Sequence, residues 1–192
     1  MKKGLNGELP SRRECLALLR AAGVWPNIVA HSLVVERFAV RLAEKIRRRG
    51  ARVDVALVSR GALLHDFDKS ECLECGRDGR GKFKVKHGFR AHELLVAKGA
   101  RFKKIALIAR RHILESVLGR DAPRTLEEKI VFYADKRVTS LRVVSLRARL
   151  RYIMRRYGVN AAARKQIRSC EKGALRVEKE LRALAGGGLG KI

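Results

Sequence analysis

Six histidine and aspartate side chains occur along this chain in an order that suits metal binding. The doublet His65-Asp66 closes the apolar segment GALLHDFDK, and Asp135 lies in the apolar segment IVFYADKRV. Neutral imidazoles and carboxylates are suitable ligands for borderline divalent metals. If all six converge, they suffice for two ions, and bound ions of this kind can activate a water molecule for hydrolysis. The set comprises His31, His65, Asp66, His87, His112 and Asp135.

Each of these residues also has a simpler interpretation. A single histidine is most often an ordinary half-buried side chain, so the metal interpretation depends on the six taken together. On a helix, His65 and Asp66 diverge by about 100°, although Asp66 could bridge two ions while His65 binds one. A carboxylate at Asp135 is costly on an apolar face unless it is paired or metal-bound. Lys136 or Arg137 could be its partner.

The segments that must position these residues have helical patterns nearly throughout. Ser11 with Glu14, and Thr125 with Glu128, form capping-box signatures at the starts of two helices. The segment NIVAHSLVVERFAVRLAEKI carries an apolar stripe at helical spacing and places His31 near its start. No stretch shows convincing strand alternation with turn signals. The sequence therefore predicts an all-α bundle.

Loops are expected where glycine and charged residues interrupt these patterns. Residues 69–86 and 118–124 are predicted to be such loops, and Asp54 is predicted to cap the helix that leads to the His-Asp doublet. Beyond Arg137 the pattern remains helical and becomes strongly basic. The C-terminal segment AGGGLGKI is expected to be flexible.

Composition limits the classes of protein to which the chain can belong. It has 192 residues, a hydrophobic content of 46% and a formal net charge of +26, which suit one packed domain with a surface that attracts polyanions. The charge has three open explanations: nucleic-acid or ribosome binding, attraction of phosphorylated substrates, or a bias of its proteome. There is no apolar stretch of membrane-spanning length and no secretion signal. We therefore expect a cytoplasmic protein that does not associate with a membrane.

The cysteines do not form an obvious disulfide framework or zinc site. Cys72 and Cys75 make one C-x-x-C, without a second such pair to complete a four-sulfur site. Loop thiols are the favoured interpretation. A mixed metal site with His87, or one completed across a dimer, stays open.

At this point the residues resemble a known family. The segments HSLVVERFAVRLAE, GALLHDFDK, KHGFRAHELL, IARRHI and LEEKIVFYADKRV are similar to the HD-domain phosphohydrolase superfamily, and most of all to its small stand-alone HDIG-type members. The resemblance covers about residues 11–140. It implies an HD-domain-like helical bundle at 11–140, with a tail at 1–10, a basic helical extension at 141–185 that packs on or projects from the domain, and a flexible tail at 186–192.

The resemblance also implies a role for each matched residue. In the family, one ion is typically held by the equivalents of His31, His65, Asp66 and Asp135. A second, in binuclear members, involves the equivalents of Asp66, His87 and His112. Both extra histidines are present, so two divalent ions are favoured, among Mn, Fe, Co, Ni, Zn and Mg. His92 is expected to have a supporting or surface role.

Two departures from the family pattern bear on the site. The usual HDIG reads His65-Asp66-Phe67-Asp68 here, so Asp68 replaces a glycine that lets the chain turn freely. Asp68 could tune a bound water, with Lys69 as a possible counter-charge, or signal a damaged site. The likeness also fades after residue 140, where the family assigns no role.

The implied activity is hydrolysis of a phosphoester through a metal-activated water, with Asp66 and Lys69 as catalytic residues. The expected substrate is a nucleotide or nucleotide-like phosphate, and an RNA phosphoester comes next. Lys69, Arg110 and Arg111 are candidates to bind the phosphate, and a solvated basic face is an equally good interpretation of them. The sequence leaves the oligomeric state open.

The rival prediction is nucleic-acid binding, above all of RNA, on an HD scaffold with little or no catalysis. Apolar residues alternate with arginines at helical spacing in the basic segment, and an amphipathic helix packed on the domain is the favoured interpretation. The sharper interpretation is an RNA-binding helix with strongly salt-dependent affinity. Its candidate contacts are Arg142, Arg147, Arg149, Arg151, Arg155 and Arg156.

Overall fold

The fold is all-α, as the sequence predicts. A computed structural model describes residues 8–74 and 86–189. Its α-helices are α1 (Arg12–Ala21), α2 (Pro26–Arg48), α3 (Val55–Leu64), α4 (Lys69–Glu74), α5 (Phe89–Val96), α6 (Lys103–Arg111), α7 (Leu126–Arg137), α8 (Leu146–Tyr157) and α9 (Ala161–Leu184). Short 3-10 helices lie at Ala100–Phe102 and Leu114–Leu118, and a two-stranded antiparallel ribbon joins β1 (Val138–Thr139) to β2 (Arg142–Val143).

The helices begin at the capping residues that the sequence indicates. Ser11 accepts a hydrogen bond from the amide of Glu14, whose carboxylate accepts from the Ser11 amide in return. Thr125 and Glu128 form the same reciprocal pair at the start of α7. Such caps satisfy amide groups that the first turn of a helix leaves without a partner. Both capping-box predictions are confirmed.

The core lies between α2, α3, α6 and α7. Phe38 of α2 and Tyr133 of α7 are buried with their ring centroids 6.1 Å apart. Helix α3 approaches α6 closely at Gly61, where an added Cβ would lie 2.5 Å from Cδ1 of Ile108. The missing side chain at Gly61 therefore lets these two helices pack side by side. These helices carry or directly precede five of the six predicted ligands.

Two local predictions are wrong. Residues 69–74, expected to begin a loop, form helix α4, because the amide of Cys72 donates to the carbonyl of Asp68 and continues the turn that follows α3. The chain also does not stay helical after Arg137. It forms the β1–β2 ribbon, whose turn holds Ser140 at a φ of 54°. The rest of the predicted loop, residues 75–85, lies outside the described residues.

The basic extension packs against the preceding helices. Its apolar face buries Leu146, Leu150 and Ile153 of α8, and α9 lies so close to the second 3-10 helix that a Cβ at Gly173 would be 2.7 Å from a methyl group of Val117. This is the packing alternative among those that the sequence leaves open.

Residues 186–189 of the segment that the sequence predicts to be a flexible tail make defined contacts with the preceding helices. The side chain of Leu189 is buried, and its carbonyl accepts a hydrogen bond from Arg137 at 3.0 Å. Lys45 donates to the carbonyl of Gly188 at 2.9 Å. These contacts fix the segment against α2 and α7. In the described part of the chain, every helix is too short or too polar to traverse a lipid bilayer.

Candidate metal centre

The fold brings the six predicted ligands to one end of the bundle. Helix α3 ends at His65, and Asp66 follows directly. Helix α6 ends at His112 in the same way. The others lie on or beside three further helices: His31 in α2, Asp135 in α7 and His87 just before α5. Ring centroids of successive histidines are 4.9–5.5 Å apart, in the order His31, His65, His112 and His87.

One group of ligand atoms surrounds Asp135. Its Oδ1 lies 3.1 Å from Nε2 of His31 and 3.7 Å from Nε2 of His65. His31 donates its Nδ1 proton to the carbonyl of Ser140 at 3.1 Å. The hydrogen bond on the other nitrogen fixes which tautomer is present, so Nε2 of His31 is the atom available to a metal. The ribbon turn that holds Ser140 thus orients one ligand.

A second group surrounds Asp66. Its Oδ1 lies 3.0 Å from Nε2 of His87 and 3.4 Å from Nε2 of His112, and its Oδ2 lies 3.5 Å from Nε2 of His65. The Nδ1 atoms of His65 and His112 each donate to the carbonyl three residues earlier, at 2.7 and 2.6 Å. Both rings therefore present Nε2 to the carboxylate.

Two buried atoms at the centre of this arrangement have no hydrogen-bond partner in the described part of the chain. They are Nε2 of His65 and Oδ1 of Asp66. A buried polar atom without a partner costs about 1–3 kcal/mol. The histidine nitrogens approach Oδ1 of Asp66 without hydrogen-bond geometry, which is the arrangement expected where a cation binds between lone pairs. The donor set, nitrogen and carboxylate oxygen, suits a borderline divalent metal.

The two central carboxylates are held ionised. Burial alone would raise the pKa of Asp66, but the nearby imidazoles of His65, His112 and His87 and the ammonium group of Lys69 hold it well below the ordinary value. Lys69 lies 2.7 Å from Oδ2 of Asp66. Ionised carboxylates are the form that binds metals.

Asp135 is held ionised by a similar balance. Burial would raise its pKa, and Lys136, His31 and His65 lower it well below the ordinary value. Lys136 pairs with Oδ2 of Asp135 and donates to the carbonyl of His112 at 2.9 Å. The ion pair proposed from the sequence therefore exists, but it uses one carboxylate oxygen and leaves the other facing two histidines.

Asp68, the departure from the HDIG pattern, has a defined set of contacts. Its Oδ1 accepts a hydrogen bond from Nδ1 of His87 at 2.7 Å. Its Oδ2 accepts from the amides of Gly88 and Ala91 at 2.8 and 3.0 Å, and so caps the start of α5. Gly88 has a φ of 81°, so the chain turns there with the residue type that tolerates this conformation. The sequence offers no signal for this contact, because residues 68 and 88 are separated by the segment 75–85.

Cys72 lies beside the same carboxylate. Its buried thiol donates to Oδ2 of Asp68 at 3.5 Å, and burial raises the pKa of the thiol above its ordinary value. Asp68, Cys72 and His87 are close enough together to be considered as metal ligands. Both oxygens of Asp68 already accept hydrogen bonds. We therefore interpret Asp68 and Cys72 as residues that orient His87 and not as a metal site of their own. Cys75 lies outside the described residues.

The predicted phosphate-binding arginines are paired elsewhere. Arg110 forms a two-pronged ion pair with Asp121, with its Nε 2.8 Å from Oδ1, and Arg111 pairs with Glu128 at 2.6 Å. His92 has no place in the groups that could hold a metal among the described residues. Lys69, in contrast, is next to the ligands.

Two cavities adjoin the cluster. The first, of about 440 Å³, is lined by His31 and Asp66 and reaches Ser140 and Arg149. The second, of about 550 Å³, is lined by His87, Cys72 and Lys86 among others. Lys69 and Leu73 border both. Cavities of this size accommodate a small organic ligand. The sequence does not predict that Arg149 lines the first cavity. Helical spacing identifies it only as one of many arginines in α8.

Comparisons with known proteins agree with the resemblance. The chain matches the HD domain over residues 28–139. It is 34% identical to an uncharacterized protein of Methanocaldococcus jannaschii over 152 residues, which cover 73% of this chain and 83% of that protein. No solved structure was found to match.

Two further relatives carry a name that concerns RNA. The chain is 27% identical over 150 residues to a tRNA (cytidine(56)-2'-O)-methyltransferase of Picrophilus torridus, and 25% identical over 138 residues to one of Thermoplasma volcanium. These matches cover 72% and 66% of this chain but only 39% and 36% of the relatives. The similarity is thus limited to a part of each methyltransferase.

Proposed function

Because the chain belongs to the HD-domain family, whose members include metal-dependent hydrolases, we propose that it is a phosphohydrolase acting on a phosphoester of a nucleotide or nucleotide-like substrate. The observation that carries the proposal is the convergence of six candidate ligands, separated by up to 104 residues in sequence, around two buried atoms that find no hydrogen-bond partner among the described residues. A structural role alone would not favour burying Nε2 of His65 and Oδ1 of Asp66 in this way.

The ligand atoms divide into two neighbouring groups, one around Asp135 and one around Asp66, and Nε2 of His65 lies beside both carboxylates. In our proposal the first ion would be held by His31, His65, Asp66 and Asp135, and the second by Asp66, His87 and His112. Divalent ions, when bound, would lower the pKa of a water molecule and offset charge on the phosphoryl oxygens. Their identity is open among Mn, Fe, Co, Ni, Zn and Mg.

The chain's own residues contribute position and charge. Asp66 faces three histidines and is the best placed carboxylate to orient an attacking water. Lys69 borders both cavities and lies 2.7 Å from Oδ2 of Asp66, so its ammonium group can also contact a phosphoryl oxygen next to the ligands. These two residues are the proposed catalytic pair.

A metal-supplemented screen of a phosphoester panel, combined with elemental analysis of the purified protein, tests this function. We expect divalent metal in the protein and turnover that Asp66→Ala abolishes. Asp121→Ala removes a carboxylate outside the cluster and should retain turnover. Hydrolysis that persists in Asp66→Ala, or a wild-type protein that neither binds metal nor hydrolyses any ester of the panel, would refute the proposal.

A second candidate is RNA binding without catalysis. It is supported by the methyltransferase names of two relatives and by exposed arginines of strand β2 and helix α8. Phosphate contacts of this kind release counterions, so affinity should fall steeply with salt. An empty metal site together with tight RNA binding at moderate salt would favour this candidate. The exposed arginines are Arg142, Arg147, Arg151, Arg155 and Arg156.

A further inference from the structure

One arginine of the basic extension differs from its neighbours. Arg149 is partly buried, whereas Arg147 and Arg151 on the same helix are exposed. It borders the 440 Å³ cavity together with His31, Asp66 and Lys69. The extension therefore contributes a cationic side chain to the same cavity as the proposed catalytic residues.

At least one hydrogen-bond donor of the Arg149 guanidinium has no partner among the described residues. Its Nε is buried and has no hydrogen-bond partner in the described part of the chain. No carboxylate of residues 8–73 or 86–189 lies within ion-pair distance of it, in contrast to Arg110 and Arg111. Because a buried donor of a charged group is costly to leave unsatisfied, an anionic ligand in the cavity is the simplest group to complete its contacts.

The local structure holds Arg149 in place. Ser145 caps α8 by accepting from the amide of Ala148 at 3.1 Å, and Leu150 is buried beside Arg149. The guanidinium carbon lies 5.4 Å from the ring centroid of Tyr152, a distance at which cation and ring attract each other. The β1–β2 ribbon that leads into α8 also contacts His31 through the carbonyl of Ser140. Arg149 and the metal ligands are thus connected through a short structured segment.

We propose that Arg149 is a substrate-binding residue that donates to a phosphate oxygen in this cavity. The inference deepens the proposed function and rests on it for the identity of the phosphate as part of a substrate. Guanidinium presents several donors in a planar fork that matches phosphate. The other walls include Ile28, Leu73 and Leu141, so the ligand class is an organic phosphate with an apolar or planar portion.

This assignment separates Arg149 from the other basic residues of α8. Exposed arginines attract polyanions at long range and lose this effect in salt. A partly buried guanidinium beside a cavity instead contacts one phosphate directly, and its contribution should persist at moderate salt. If the exposed arginines alone bind phosphates, as in RNA binding by that face, the loss of Arg149 should not change the affinity for small phosphates.

The test measures binding of inorganic phosphate to the purified full-length protein by isothermal titration calorimetry at moderate salt. Arg149→Ala should weaken phosphate binding by about 10- to 100-fold, the range expected for a lost hydrogen bond to a charged group. Arg149→Lys should recover part of the affinity, because it keeps the charge but loses the fork. Arg168→Ala, which removes an exposed charge from α9, is the matched control and should bind phosphate as the wild type does.

The outcomes distinguish this inference from the proposed function. If the wild type hydrolyses no ester but Arg149→Ala still loses phosphate binding, the anion site stands and the enzymatic function fails. If hydrolysis occurs, Arg149→Ala should raise KM more than it lowers kcat, with metal content unchanged by elemental analysis. Phosphate affinity equal in the wild type, Arg149→Ala and Arg168→Ala, or no phosphate binding by the wild type, would overturn the inference. Circular dichroism verifies that each variant is folded. If Arg149→Ala does not fold, Arg149→Lys takes its place in the measurement of phosphate binding.

Discussion

Oδ1 of Asp68 accepts a hydrogen bond from Nδ1 of His87 at 2.7 Å, and the other nitrogen of that ring lies 3.0 Å from Asp66. The carboxylate therefore sets the tautomer in which Nε2 of His87 can act as a ligand. We therefore expect the aspartate that departs from the HDIG pattern to support the second proposed ion position rather than to damage the site.

Replacing this carboxylate should weaken the second metal position. We expect Asp68→Asn to lower the affinity for a second ion by about 10- to 100-fold, the usual effect of losing a partner behind a metal-binding histidine. Titration with Mn²⁺ or Co²⁺, followed by calorimetry, measures both binding steps. Cys72→Ala removes a neighbouring contact and keeps the carboxylate, so it should change the second step little. Equal affinities in the wild type and Asp68→Asn would contradict this role.

Metal binding should also depend on pH through His87. Burial disfavours its charged form, but Asp66, Asp68 and Cys72 raise the pKa of His87 well above the ordinary value. We therefore expect the metal-free protein to hold a proton on this ring up to a higher pH than a free imidazole does, and that proton must leave before Nε2 can bind a metal. Affinity should fall as the pH decreases below the raised pKa, by about tenfold per unit for one proton.

Calorimetry in two buffers of different ionisation enthalpy measures this proton release. His112 should not contribute, because burial lowers its pKa to about 4, and the ring is already neutral at pH 7. His87→Ala should accordingly remove most of the proton release that belongs to the second ion. Metal binding without any proton release at neutral pH would disprove the expected protonation state.

Loss of Lys136 should destabilise the metal-free protein. Its ammonium pairs with Asp135 and donates to the carbonyl of His112, so Lys136→Met leaves a buried carboxylate without its counter-charge. Removing one partner of a buried ion pair costs about 3–5 kcal/mol. Urea unfolding measures the change, and added divalent metal should restore part of the stability by supplying positive charge to Asp135.

The control for this effect is the partly exposed pair of Lys129 and Glu180, 2.6 Å apart. Lys129→Met should cost less than about 1 kcal/mol, as is usual for pairs near the surface. If Lys136→Met and Lys129→Met lower the free energy of unfolding by the same amount, burial of the Lys136 ion pair does not explain the effect.

The close approach of α3 and α6 can be tested at Gly61. In Gly61→Ala the new methyl group would lie 2.5 Å from Cδ1 of Ile108, and overpacking of this kind costs about 1–3 kcal/mol. Because these helices end at His65 and His112, metal affinity should fall together with thermal stability. Adding Ile108→Val removes the clashing carbon and should restore part of both properties. A double variant less stable than Gly61→Ala alone would refute this explanation.

The sequence predicted those features that depend on local chemistry or on a strong ordered pattern. The caps at Ser11 and Thr125 follow from neighbouring residues, and the meeting of His31 with Asp135 agrees with the order of the motifs. Helix α4 was missed because cysteine, glycine and charge in 69–86 favour a loop. The contacts of Asp68 depend on which backbone amides the fold brings to it, and no local pattern specifies them.

Arg149 shows a second reason why the sequence does not predict the whole site. Helical spacing separates the apolar face of α8 from its polar face, but it does not state which polar residue adjoins a cavity. The turn of the ribbon decides this by changing the direction of the chain after α7. Ser140 in that turn carries no sequence signal of its positive φ, since serine is not typical of that conformation.

The contacts of Leu189 have a consequence for how the protein unfolds. Arg137 of α7 bonds to the carbonyl of Leu189 and to the hydroxyl of Tyr133, which in turn donates to Glu178 of α9. The helix that supplies Asp135 is therefore held in place in part by Leu189. Removing residues 186–189 should perturb Asp135, a proposed metal ligand more than fifty positions earlier. We therefore expect this deletion to lower the affinity for divalent metal as well as the stability of the protein.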